Sequence, residues 1–196
     1  MEQQRSPFTK AQLLPQEETL EISRQKGRLL IGLPKENHFQ EKRICLTPDA
    51  VAAIVANGHG VLIESGAGAN AGFSDQEYSE NGAEVTQDTQ KVFDCPMLLK
   101  VEPPTLEELE RIQPNTVLIS ALQLKTQNRD YFETLADKKI TALGFEFIQD
   151  EDGSFPAVKA LSELAGTASV LIAAELMAND PAGNGLLFGN IGGVPP

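Results

Sequence analysis

Short apolar runs separated by well-capped helical segments constrain this chain more than any other feature of its sequence. Leu29–Leu33, Gly60–Glu64, Pro96–Val101, Thr116–Ser120 and Ile140–Phe145 are too short for helices and too apolar for surface loops, so each reads as a buried strand. Helix signals lie between them. Thr47-Pro48 supplies an N-cap and a first-turn proline ahead of Val51, Ile54 and Val55, and Asn57-Gly58 ends that helix with residues that tolerate a left-handed conformation. Ser74-x-x-Glu77 and Thr105-x-x-Glu108 are capping boxes, the first ahead of Tyr78 and the second ahead of Leu106, Leu109 and Ile112. Gln127–Asp137 carries Tyr131, Phe132 and Leu135 as an inward face. Parallel strands need a crossover between them, and strands alternating with helices of this length predict an α/β fold: a mostly parallel open sheet with helices on both faces. Beyond the acidic turn Asp150–Gly153, Leu161, Leu164, Ala168, Leu171 and Ile172 predict a long Ala-rich helix reaching about Met177.

This pattern divides the chain into a polar tail over 1–28, a substrate-binding domain over 29–158, and a helix with a Gly/Pro-rich linker over 159–196. At 196 residues the chain is long enough to bury a real core. Its formal charge of −12 argues against nucleic acid and anionic membranes, because phosphate contacts need clustered Lys and Arg. A small-molecule or protein partner is expected instead. Cys45 and Cys95 form no C-x-x-C, and His38 and His59 lack a zinc-like spacing, so reduced thiols, no metal and a cytoplasmic location are expected. No run is read as approaching the eighteen or so apolar residues of a membrane helix, and the N-terminus does not resemble an export signal.

Chemistry-bearing residues gather after the strands. Ile31–Pro48 runs from a strand, ended by Pro34, through a loop holding Lys35, Glu36, Lys42 and Arg43 to a helix start. Open α/β sheets bind ligands at that edge. Arg43 could grip a carboxylate through two parallel bonds, or be a solvated loop arginine. Lys100 ends the run Met97–Lys100, so it either polarises a carbonyl from the sheet edge or snorkels to water. Gly66-x-Gly68 with Gly72 imitates a dinucleotide fingerprint but has the wrong spacing, and is read as a tight loop close to other backbone.

The Pro34-Lys-Glu36 loop, the single Arg43 and Leu46-Thr-Pro48 resemble the opening of the alanine dehydrogenase and nicotinamide nucleotide transhydrogenase superfamily. The resemblance continues in family order through Asn57–Gly68, Gly72–Asp75, Leu99–Pro103 and Leu161–Gly166. It implies the N-terminal, substrate-binding part of an NAD-dependent alanine dehydrogenase, oxidising L-alanine to pyruvate. The alternatives are a transhydrogenase alpha subunit and a noncatalytic ligand-binding domain. It further implies that Arg43 holds the carboxylate of a small 2-oxo acid or amino acid, that Lys100 contacts the same substrate as a catalytic group, and that Ser162 lies near the cofactor phosphates. NAD would be held mainly by a Rossmann domain following Gly192–Pro196. This chain alone would then be inactive, and the full-length protein a homo-oligomer. Gln123 stands where alanine dehydrogenases carry a histidine, so it occupies the proton-transfer position without being able to titrate.

Overall fold

The computed structural model describes residues 27–37 and 41–178. Residues 1–26, 38–40 and 179–196, which include most of the tail, His38 and the linker, lie outside the described residues.

All strand pairings are parallel, in a six-stranded sheet of order β3-β2-β1-β4-β5-β6. The strands are β1 Leu30–Leu33, β2 Gly60–Glu64, β3 Glu84–Thr86, β4 Met97–Leu99, β5 Val117–Ser120 and β6 Thr141–Gly144. The helices are α1 Pro48–Ala56, α2 Asp75–Glu80, α3 Thr89–Phe93, α4 Leu106–Arg111, α5 Arg129–Asp137 and α6 Pro156–Ala178. The chain winds outward from β1 to β3, crosses back, and winds outward from β4 to β6. The direction of winding reverses between β1 and β4, and the crevice at such a reversal is where doubly wound sheets bind ligands.

The elements form for the local reasons the sequence suggests. The Thr47 side chain accepts from the Ala50 amide at 3.3 Å, and both capping boxes close reciprocally. One element pair was not expected: β3 and α3. β3 is a three-residue edge strand whose lone apolar residue is Val85, and α3 is five residues long behind an Asp88 cap, so neither carries enough periodicity to be read. Phe132 and Leu106, expected inward, are 40% and 38% exposed, while Tyr131, Leu109 and Ile112 are buried.

The sheet separates two apolar clusters. Leu33, Val61 and Ile63 face Val51 of α1 and Tyr78 of α2, while Leu62, Leu98 and Leu118 face α3, Leu109 of α4 and Tyr131 of α5. Alternate residues of β2 thus point to opposite faces, both covered, as in a sheet sandwiched between helices. Gly32 permits the closest approach: a Cβ there would lie 2.5 Å from the Val92 carbonyl oxygen of α3. The Gly66–Gly72 loop is equally tight. A Cβ on Gly68 would meet the Tyr78 ring at 2.5 Å, and Tyr78 donates its hydroxyl to the Leu46 carbonyl at 2.7 Å.

The long helix α6 begins at Pro156 and extends 23 residues. Ser162 is therefore inside it, not at its start. An 18-residue stretch of α6 has mean hydropathy 1.4, which makes it long and apolar enough to cross a membrane by length and composition. This corrects the expectation that no segment approaches that size. Alanines raise the mean although charged residues such as Lys159, Glu163 and Glu175 interrupt the run. Leu164 and Leu171 are 69% and 67% exposed.

Candidate active site

The site is built where β1, β4 and β5 end. Residues just beyond three adjacent parallel strands are brought side by side, although Glu36, Lys100 and Gln123 are far apart in the chain.

Lys100 follows β4 and points, like Leu98 two residues before it, toward the α4 side. It is completely buried. Its ammonium donates to Glu108 Oε1 at 3.1 Å and lies 3.3 Å from Glu36 Oε2. Glu108 is the third residue of α4 and serves two ends at once. Its Oε2 accepts from the Thr105 amide at 2.8 Å to close the capping box, and its Oε1 also accepts from Asn37 Nδ2 at 3.1 Å. Glu36 is held at one oxygen by the Val101 amide at 2.6 Å. The other oxygen is buried without a hydrogen bond, and the Lys100 ammonium is its counterion. Glu36 is thus the looser of the two partners.

Arg43 is held differently. Glu41 is buried and takes Nε at 2.8 Å and Nη2 at 2.6 Å in a two-pronged pair, while the Arg43 amide donates to Glu41 Oε1 at 2.8 Å. The Arg43 side chain remains 51% exposed, so one edge of the guanidinium is fixed and the rest faces outward. Hydrogen bonding from Arg43 holds the Glu41 carboxyl down at about 2, against an ordinary 4.5, and the same contact raises the arginine. Because the folded-state value is depressed, this pair's contribution to stability is full above about 4.5 and is lost as pH falls toward about 2. Acid titration followed by circular dichroism should show Glu41→Gln with less loss of stability than the parent chain across that window. Equal losses would detach Glu41 from acid unfolding.

Gln123 lies three residues beyond β5 with φ 46°, in the left-handed region that costs a non-glycine residue about 1 kcal/mol. Glu146, just after β6, fixes the turn: its Oε1 accepts from the Leu122 and Gln123 amides at 2.8 and 3.0 Å. The exposed Gln123 side chain donates from Nε2 to Glu102 Oε2 at 2.9 Å, and Glu102 Oε1 lies 3.8 Å from Arg43 Nη2. Glu102 therefore links the β5 end to the loop after β1.

The structure thus gathers Arg43, Lys100 and Gln123 along one edge. Ser162 lies on the exposed surface of α6. Gly68 packs against Tyr78, and the Gly66 amide donates to Asp75 Oδ1 at 2.8 Å, so a carboxylate of the protein itself occupies that amide at the start of α2. Cys45 has its thiol pushed up to about 12 by burial, which keeps it protonated and excludes it as a nucleophile. Sequence reasoning missed how Glu41, Glu102 and Glu146 serve the site. Glu41 was the most accessible of these, since a carboxylate two residues from a loop arginine can close a fork on it.

A doubly wound parallel domain with two carboxylate-held cations at its switch point has the architecture in which open α/β sheets carry ligand sites. The family model described as alanine dehydrogenase/PNT, N-terminal domain, matches residues 32–165, and the chain belongs to that family. It is 37% identical over 169 residues to alanine dehydrogenase of Methanococcus maripaludis, covering 86% of this chain and 45% of the relative. Alanine dehydrogenase of Staphylococcus epidermidis is 36% identical over 165 residues, covering 84% and 44%. The chain spans about half the length of the curated relatives it matches. Among solved structures, an L-alanine dehydrogenase superposes with a TM-score of 0.80 at 34% identity, over 86% of this chain and 46% of that one. A transhydrogenase from Sinorhizobium meliloti superposes at 0.54 and 25% identity, over 60% and 35%.

Proposed function

We propose that this domain is the substrate-binding part of an NAD-dependent alanine dehydrogenase, which oxidises L-alanine to pyruvate and ammonia. The observation that carries the reading is the placement of Arg43 and Lys100 after β1 and β4, at the reversal of the sheet. The open side of the Arg43 guanidinium receives the substrate carboxylate while Glu41 keeps the side chain from turning away. The Lys100 ammonium serves the oxygen of the oxo acid, reached when Glu36 gives up its oxygen without a hydrogen bond. Hydride loss from Cα leaves an imine, water adds to it, and positive charge beside the incoming oxygen stabilises the charge that builds there as the carbinolamine collapses to pyruvate and ammonia. NAD supplies the hydride acceptor and is bound mainly by a nucleotide domain joined to this one. The protein acts in the cytoplasm as a homo-oligomer.

The test is kinetic, in a protein that carries both domains. Arg43→Lys should weaken L-alanine and pyruvate binding by roughly 1–3 kcal/mol, because lysine keeps the charge but loses the fork. The affinity for NAD should be unchanged. A Michaelis constant unaffected by Arg43→Lys would leave Arg43 a solvated loop residue and the reading without its anchor.

A further inference from the structure

We infer that Glu102 receives the ammonium group of a bound α-amino acid and so makes this site favour a zwitterion over a 2-oxo acid. The inference rests on the reading of Arg43 as the carboxylate anchor.

Arg43 and Lys100 are outnumbered at the sheet edge by Glu36, Glu41, Glu102 and Glu108. Each cation already has a close carboxylate partner, so a ligand carboxylate finds neither charge unpaired. A ligand bringing only a carboxylate must work against those partners. One bringing an ammonium as well is matched to them.

Among these carboxylates Glu102 is the one arranged to accept. Glu41 is committed to Arg43 at both oxygens, and Glu108 is committed to Thr105, Asn37 and Lys100. Glu36 is buried against Lys100 and the Val101 amide. Glu102 keeps 22% of its side chain exposed, and its Oε1 has as its charge partner Arg43 Nη2, 3.8 Å away. That length is beyond a hydrogen bond. Glu102 is not needed as a strut for the guanidinium, because Glu41 already fixes it at 2.6 and 2.8 Å.

Gln123 completes the arrangement. Its Nε2 donates to Glu102 Oε2 at 2.9 Å and turns the other oxygen toward Arg43. An exposed guanidinium and a half-buried carboxylate then stand side by side, as the carboxylate and ammonium of an α-amino acid do across one carbon. A glutamine suits this role because its amide donates to a carboxylate without carrying charge.

The test compares L-alanine with pyruvate. Amide NMR shifts of the 196-residue chain, titrated with each ligand, give affinities for the parent chain, Glu102→Gln, Glu102→Asp and Arg43→Lys. Glu102→Gln should weaken L-alanine roughly tenfold to a hundredfold, the scale of losing a hydrogen bond to a charged group, and leave pyruvate unchanged or tighter. Glu102→Asp, which keeps the charge, should recover most of the preference. Equal weakening of both ligands by Glu102→Gln would make Glu102 a support for Arg43 and overturn the inference, as would no change in either. Loss of both ligands in Arg43→Lys, with Glu102→Gln inert, would overturn the inference while sparing the anchor. Selective loss of L-alanine in Glu102→Gln, with Arg43→Lys inert, would spare Glu102 and overturn the anchor.

Discussion

Lys100→Met is expected to destabilise the domain by about 3–5 kcal/mol, the scale of removing one partner from a buried ion pair. Methionine keeps an apolar stem but removes the ammonium that lies between Glu36 and Glu108. Both carboxylates would then face each other where Lys100 is completely buried and water cannot take its place. Urea unfolding monitored by circular dichroism measures the loss. A double-mutant cycle with Glu36→Gln locates it, because neutralising the carboxylate that loses its counterion should recover part of the deficit. A loss below about 1 kcal/mol, the range of exposed pairs, would show that the Lys100 cluster is solvated and open.

Gln123→His should raise turnover of L-alanine near neutral pH by about 10²–10⁴-fold in the two-domain protein, the usual worth of a positioned general acid–base. Glutamine cannot shuttle a proton, whereas imidazole titrates in the working range. The backbone accepts the change, and an imidazole N–H takes over the donation to Glu102 that Gln123 makes. Residue 123 has φ 46°, and histidine is among the residues enriched in that region. The turn is fixed by Glu146 through the Leu122 and Gln123 amides, which the substitution leaves in place. A pH–rate profile of both variants, with alanine and with pyruvate plus ammonia, should show a new ionisation near neutrality together with faster turnover. Equal inactivity of both variants with both substrates, in a protein that binds NADH, would contradict the dehydrogenase reading.

The elements that were legible in the sequence carry their own local cause. Gly60–Ile63 is an unbroken apolar run and, with Glu64 at its end, forms a strand with the expected bounds, and Ser74 and Glu77 close the capping box their spacing requires. β3 was not legible because an edge strand of three residues needs little apolar surface. At the site, Arg43 and Lys100 stand out as charges beyond apolar runs. Their partners do not. Glu108 looks like helix-capping glutamate, and only the neighbouring of β1 and β4 in the sheet brings Lys100 and Glu36 against it. Glu102 meets both Gln123 and Arg43 because β4 lies between β1 and β5, a strand order that no local pattern prescribes. The apolar exposure of α6 was also hidden, since a helix-period stripe reads the same whether its cover lies within the domain or outside it.

A crystal structure of the protein grown with L-alanine would show whether Arg43 is where the substrate carboxylate lands. The amino-acid carboxylate should pair with the open side of the guanidinium at about 2.7–2.9 Å, with Glu41 still forked on the other edge. L-Alanine bound elsewhere, with Arg43 held only by Glu41 and Glu102 as in the free domain, would contradict that placement.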